Sequence, residues 1–350
     1  MRARELGLPL TGRTGPNNAI TDVPRVAVGY STLIEGDDVR TGVTAILPRP
    51  HTEVEIPAAA GWYSLNGNGE MTGTAWLSET GSLRLPVLIT NTHAIGPAHR
   101  GVIDWTVRRK PVLAEEWLLP VVAETWDGYL NDINGSHVQP AHAIAAIDAA
   151  LPGPISEGSV GSGTGMNCYG FKGGSGTASR TVDYGTDMYT VGAFVQANFG
   201  SRKELTVCGV PVGAALSPDN PLEDTAWRVP PGAGSVIAVL ATDAPLLPGQ
   251  CTALARRVPL GLARTGTTGS HFSGDIFLAF STANAQKGTT DYQQTRYVPW
   301  PRMDDFFAAA VYAIEEAVLN ALVAADTMIG RNGHRSPGLP INELLGLLKI

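Results

Sequence analysis

At 350 residues, with 43% apolar and only 16% charged side chains, the chain has ample material for a packed core in one large domain or two ordinary ones, which excludes the disordered class. A net charge of −7 leaves no basic footprint for a nucleic acid. Apolar stretches such as Ala143–Leu151 fall well short of the ~20 residues that span a bilayer, so no membrane partner is expected.

Met1–Gly7 lacks the apolar centre of a secretory signal. The first part of the chain then reads mostly as strand, with short apolar or β-branched runs at Val26–Tyr30, Gly42–Leu47 and Val87–Thr90. Helical spacing follows over Pro97–Arg108 and Ala141–Leu151, where Ile144, Ile147 and Leu151 share a face. Residues 153–179 are rich in glycine yet carry Met166, Tyr169 and Phe171, which predicts backbone that approaches a ligand closely rather than a plain linker. Tyr189–Gln196 and Leu205–Val210 read as strands, and Pro218–Pro231 as a polar connector. Beyond it the pattern gives a strand to Ala241, a helix near Gly249–Val258 and a strand at Ile276–Ser281. A long helix from about Asp304 to Met328 follows, with Gly330 as its stop. Strands and helices in both halves predict layered α/β or α+β packing. Cys168, Cys208 and Cys251 are an odd, sparse set without metal-ligand spacing, which predicts free thiols in a reducing cytoplasm and no cofactor metal.

Pro230-Pro231-Gly232-Ala233-Gly234-Ser235 runs directly into Val236–Ala241, so a Pro/Gly linker delivers a serine to the first position of a buried strand. A chain that cut itself between Gly234 and Ser235 would expose there a hydroxyl and an α-amine, whose pKa near 7.7–8.0 suits it as a local base. An ordinary loop-to-strand junction has the same appearance. Ser273-Gly274-Asp275 precedes another strand, where a hydroxyl and a carboxylate two apart point the same way and can polarise a nucleophile on a neighbouring strand. A turn with an exposed aspartate is the alternative. Glu124-Thr125-Trp126-Asp127 offers a carboxylate for a cationic substrate group, or else a solvated loop. Asn198 ends an apolar strand and has an amide fit to donate to an oxyanion, or to form a turn beside Gly200. The fingerprint at Gly161-x-Gly163-x-Gly165 is incomplete for a dinucleotide. No nucleophile elbow occurs, and the pairs His93/His99 and His137/His142 lack metal spacing.

Taken together, these stretches resemble the self-processing serine aminopeptidases of the DmpA/BapA type, the L-aminopeptidase/D-esterases and β-peptidyl aminopeptidases. Besides the segments above, the resemblance is carried by Asn66–Gly73, Thr90-Asn91-Thr92-His93, Glu124–Asp132, Gly158–Gly176, Val195–Gly200, Ala241–Leu246 and Asn320-Ala321-Leu322. It implies one four-layer αββα domain of α+β class, similar in shape to Ntn hydrolases but differently connected. It also implies self-cleavage into polypeptides 1–234 and 235–350. By position, Ser235 would be the nucleophile, Ser273 and Asp275 its supporting serine and acid, and Asn198 the oxyanion donor. Glu124 would bind the free amine of a short peptide, amide or ester. Trp126 stands where the family can have tyrosine, which changes a hydroxyl for a bulkier N–H donor. The family further implies a homo-oligomer, often a tetramer. A self-cleaving acyltransferase of the ornithine-acetyltransferase kind is the alternative, although that family uses threonine where this chain has Ser235.

Overall fold

The computed structural model describes residues 1–216, 219–220, 234–285, 292 and 294–350. The Pro-rich connector expected at 218–231 and the linker before Gly234 therefore lie almost wholly outside the described residues.

In chain order the first half gives β1 (Ala27–Glu35), β2 (Val39–Leu47), β3 (Ala58–Ser64), α1 (Thr74–Thr80), β4 (Ser82–Leu83), β5 (Val87–Asn91), α2 (Ile95–Arg109), β6 (Val122–Thr125) and α3 (Pro140–Asp148). A small hairpin, β7 (Asn167–Cys168) and β8 (Phe171–Lys172), leads into the long strands β9 (Gly174–Tyr184) and β10 (Asp187–Asn198). After β11 (Thr206–Val207) and β12 (Val210–Pro211) come β13 (Gly234–Thr242), α4 (Pro248–Ala255), α5 (Val258–Ala263) and β14 (Ser273–Ser281). The chain ends with α6 (Asp304–Val323), β15 (Met328–Ile329), β16 (Arg335–Ser336) and α7 (Ile341–Leu348).

Two sheets result, one in the order β1-β2-β5-β6 and one in the order β4-β3-β14-β13-β10-β9. The alternation along β13 shows how they stack. Ile237, Val239 and Ala241 pack with Val28, Ile46, Ile89 and Ala123 in a core between the sheets. Val236, Ala238 and Leu240 point the other way, into a core shared with Leu254, Phe306, Ala310 and Ile314 of the helices outside. On the far side, Val43, Ala45 and Leu88 pack against Ala98, Val102, Trp105 and Ile147 of α2 and α3. Two sheets that bury both faces this way make the four-layer αββα sandwich of the α+β class.

Four sequence expectations change in detail. Leu205–Val210 is not one strand but a tight hairpin, because Cys208 and Gly209 take φ of 49° and 82° between β11 and β12. The Gly-rich stretch ends as strand: Gly174-Ser175-Gly176 open β9, with Gly158 packed on Gly174 and α6 on Gly176 leaving no room for β-branched residues there. A Cβ at Gly176 would sit 2.0 Å from the Ala317 carbonyl oxygen. The helix expected near Gly249–Val258 is split into α4 and α5, since Pro259 has no N–H to continue the ladder. The last long helix stops at Val323. That helix is also long and apolar enough to cross a bilayer, which the sequence reading overlooked, yet 72% of its apolar window is buried in the protein.

Candidate active site

Three strands of the larger sheet converge at one end. In the register, Ser235 on β13 lies opposite Asn198 on β10 and beside Gly274 on β14. Ser235 is in phase with Ile237 and so faces the layer between the sheets, where the end of β6 brings Glu124, Thr125 and Trp126 across from it. The Trp126 N–H donates to Ser235 Oγ at 3.2 Å, and Asn198 Nδ2 lies 3.3 Å from the same oxygen. Asn198 has no freedom to turn its amide over. Its Oδ1 accepts the Asn167 N–H at 2.9 Å, so Nδ2 must face the serine and the Trp126 carbonyl, also at 2.9 Å. Ser235 is 2% exposed, and Asn198 is buried within a strand rather than set in a turn.

Ser273 and Asp275 are not the turn with an exposed acid that the sequence allowed. They are the first and third residues of β14, and both are buried. Ser273 Oγ donates to Asp275 Oδ1 at 2.6 Å, while Asn66 donates from Nδ2 to Oδ2 at 2.8 Å and accepts the Asp275 N–H at 2.7 Å. Burial pushes the Asp275 carboxyl up, and the donors Ser273, Asn66 and the Val236 N–H pull it back. The pair pairs in register with Gly234 and Val236 and is in phase with Phe277, on the face opposite Ser235 Oγ. Among the described residues the partners of Ser235 Oγ are thus Trp126 and Asn198, and Ser273 is not one of them.

Glu124 is likewise no solvated loop residue. It is 2% exposed on β6, with Oε1 accepting the Glu70 N–H at 2.9 Å and Oε2 accepting the Thr92 hydroxyl. Burial pushes its carboxyl up, while those two donors and the nearby His93 counter it. The Glu70 N–H arrives there because Asn66–Glu70 cross over β14 with glycine against glycine: a Cβ on Gly69 would meet Gly274 Cα at 2.8 Å. A cavity of about 510 Å³ joins these groups. Ser235, Asn198, Trp126, Glu124 and Thr92 line it together with Tyr129, Phe199 and Phe272, whereas Ser273 and Asp275 stand behind its wall. The geometry offers a hydroxyl with two donors beside it, and a buried carboxylate in the same apolar chamber.

The family profile described as Peptidase family S58 matches residues 18–336. The chain belongs to that family. It is 50% identical to the β-peptidyl aminopeptidase BapA of Sphingosinicella microcystinivorans, over 99% of this chain and 92% of that protein. A structure of the L-aminopeptidase D-Ala-esterase/amidase from Ochrobactrum anthropi, described as a new variant among the Ntn hydrolase fold, superimposes with a TM-score of 0.94. The two share 46% identity, over 99% of this chain and 98% of that one. A Burkholderia sp. β-aminopeptidase matches with a TM-score of 0.91 at 44% identity, over 100% and 98% of the two chains.

Within this S58 chain Ser235, Asn198, Trp126 and Glu124 meet in one cavity while Ser273 and Asp275 stand behind it, and the groups that hold them carry no signal of that role in the sequence. Asn66, Thr92 and Asn167 sit in stretches that carried the family resemblance, yet nothing in their spacing marks them as partners of Asp275, Glu124 and Asn198. Trp126 contributes through its backbone as well as its ring, which lies over Gly128. Its contacts with Ser235 and Asn198 are therefore independent of whether tryptophan or tyrosine stands there.

Proposed function

We propose that this S58 peptidase is a self-processing serine aminopeptidase. It cuts itself between Gly234 and Ser235, then releases N-terminal residues from short peptides, amino-acid amides or esters. The observation that carries this is Ser235 Oγ held between the Trp126 N–H and the Asn198 amide, in a cavity that also contains the buried Glu124 carboxylate.

In the self-cleavage, Ser235 Oγ attacks the Gly234 carbonyl carbon, the Gly234–Ser235 amide bond breaks, and water hydrolyses the resulting ester. The products are a carboxylate on Gly234 and a free α-amine on Ser235. The pieces 1–234 and 235–350 stay together because β10 and β13 pair from Val191↔Thr242 to Asn198↔Ser235 across the cut. In turnover the α-amine accepts the Ser235 hydroxyl proton as Oγ attacks the substrate carbonyl. Asn198 and the Trp126 N–H supply donors for the oxyanion. The amide bond breaks as the leaving nitrogen takes the proton, and water then releases the acyl group from Ser235. Glu124 pairs with the substrate's ammonium, which makes the enzyme an aminopeptidase. Ser273 and Asp275, placed next to the backbone of Gly234 and Val236, act on the α-amine rather than on Oγ. A cytoplasmic setting belongs to the same proposal, supported by three unpaired cysteines.

Intact mass of purified protein under denaturing conditions tests the first step. Two pieces, the smaller beginning Ser-Val-Ile, are expected from the wild type, and Ser235→Ala is expected to stay whole and to hydrolyse nothing. Activity in an uncut Ser235→Ala chain would overturn the assignment.

A further inference from the structure

Glu124 shares a parallel pair of strands with the turn that carries Thr92. In the β5–β6 register Thr90 lies opposite Glu124 and Asn91 opposite Thr125, after which β5 ends and the chain bends towards α2. Asn91 fixes that bend: its side-chain oxygen accepts the His93 N–H at 3.0 Å and its Nδ2 donates to Thr41 Oγ at 2.9 Å. Asn91 is 4% exposed, so the turn is anchored inside the protein. The bend swings Thr92 over the neighbouring strand, where its hydroxyl donates to Glu124 Oε2 while also lining the cavity. Thus one oxygen of Glu124 is held by a backbone N–H, which no side-chain change at that position short of proline removes, and the other by a single side chain.

We propose that Thr92 is a positioning residue for substrate binding: its hydroxyl aims the Glu124 carboxylate into the cavity and so sets the affinity of the site for the substrate's free amine. The inference rests on Glu124 being the amine-binding group. A carboxylate that accepts a hydroxyl proton in a buried site keeps its negative charge and its orientation together. Removing that donor leaves Glu124 with one fixed oxygen, facing the charges of Glu70 and His93, which act on it in opposite directions. Without that donor the carboxyl is pushed further up, and an unanchored oxygen no longer presents its charge to an ammonium group in a fixed direction. The Thr90-Asn91-Thr92-His93 stretch thereby acquires a specific chemical purpose, with Asn91 building the turn and Thr92 using it.

The experiment compares wild type, Thr92→Val, Thr92→Ala and Thr92→Ser as self-cut proteins of unchanged melting temperature. The substrates are an amino-acid p-nitroanilide and its counterpart lacking the α-amino group, assayed from pH 5 to 9. Valine keeps the shape and removes the donor. The expected result is a rise in KM on the order of tenfold for the amine-bearing substrate in Thr92→Val and Thr92→Ala. The acid limb of kcat/KM moves to higher pH, kcat changes much less, and Thr92→Ser restores both. For the amine-free substrate the change in KM from wild type to Thr92→Val and Thr92→Ala should be several-fold smaller than for the amine-bearing one. A KM within twofold of wild type in both Val and Ala variants overturns the proposal, as does a serine variant that restores nothing. A wild type that treats the two substrates alike overturns the role of Glu124 and, with it, that of Thr92.

Discussion

A methyl group at Gly274 probes how the chamber is assembled by pressing on the Asn68–Gly69 backbone that forms part of its lining. Built on the present backbone, that Cβ lies 2.3 Å from the Asn68 carbonyl oxygen and 2.7 Å from Gly69 Cα. Ordinary contact between such atoms needs about 3.5 Å, so Asn68–Gly69 must retreat by roughly 1 Å. The retreating segment carries the Glu70 N–H that sits 2.9 Å from Glu124, and the same displacement takes that bond towards ~4 Å, outside hydrogen-bonding range. Asn66, which holds Asp275, lies at the start of the segment.

Two effects of Gly274→Ala then compete. Gly67 and Asn68 are exposed, so the loop can give way, and the cost to stability falls at the low end of the ~1–3 kcal/mol typical of overpacking. The lost bond to a buried carboxylate is worth about 1.5–3 kcal/mol, which is roughly 10- to 100-fold in kcat/KM. Activity should therefore fall by far more than stability. The assay pairs thermal melting with kcat/KM on an amino-acid amide, using Gly346→Ala on α7 as the control, because a Cβ there meets nothing within 4 Å and lies away from the cavity. A Gly274→Ala protein that turns over substrate like wild type would refute the claim that glycine-on-glycine contact aims Glu70 at Glu124.

Asn198→Ala should lower kcat by ~10²–10³-fold, the usual effect of losing one oxyanion donor, and should slow self-cleavage in parallel; stopped-flow turnover and the cut fraction over time measure both, and an unchanged kcat rejects the donor role. Asp127, 1% exposed and bonded by Asn131 Nδ2 at 3.0 Å, provides a pH test, because burial pushes its carboxyl up to about 7. Its folded pKa exceeds the unfolded value of ~3.9, so the folded state holds the proton more tightly and loses stability as pH rises from about 4 through 7. Asp127→Asn cannot ionise and should gain on wild type in melting temperature across that window. A difference between the two that stays flat from pH 4 to 8 refutes the assignment.

What the sequence made legible was periodicity and position. The uninterrupted apolar runs Val236–Ala241 and Ile276–Phe280 read directly as buried strands, because both faces of the sheet are covered. Gly234-Ser235 was distinguishable from the other Gly-Ser pairs by the apolar run it opens. The strand Gly174–Tyr184 was hidden at its start because packing under α6 requires small residues there, and small residues carry no β signal. Glu124 looked solvated among neighbouring acids, since only the tertiary fold brings the Thr92 hydroxyl and the Glu70 N–H to it. The same limit applies to Asn66 and Asp275, which are bonded although 209 positions apart.

The placement of Ser273 and Asp275 fits the proposal that the site uses its own amine as a base. A side chain on a strand faces one layer, while the backbone nitrogen lies in the plane of the sheet between neighbours. Ser235 Oγ points into the chamber with Trp126 and Asn198, and among the described residues the groups that reach it there include no histidine. The buried hydroxyl–carboxylate pair instead flanks the backbone on the opposite face, at the register positions of Gly234 and Val236. Before the cut that backbone carries no charge to match Asp275. In the proposed mechanism the amine freed at Ser235 becomes a cation only when it takes the Oγ proton, and Asp275, held until then by neutral donors, stabilises that charge. On that proposal, self-processing frees the base beside the carboxylate that stabilises its protonated form.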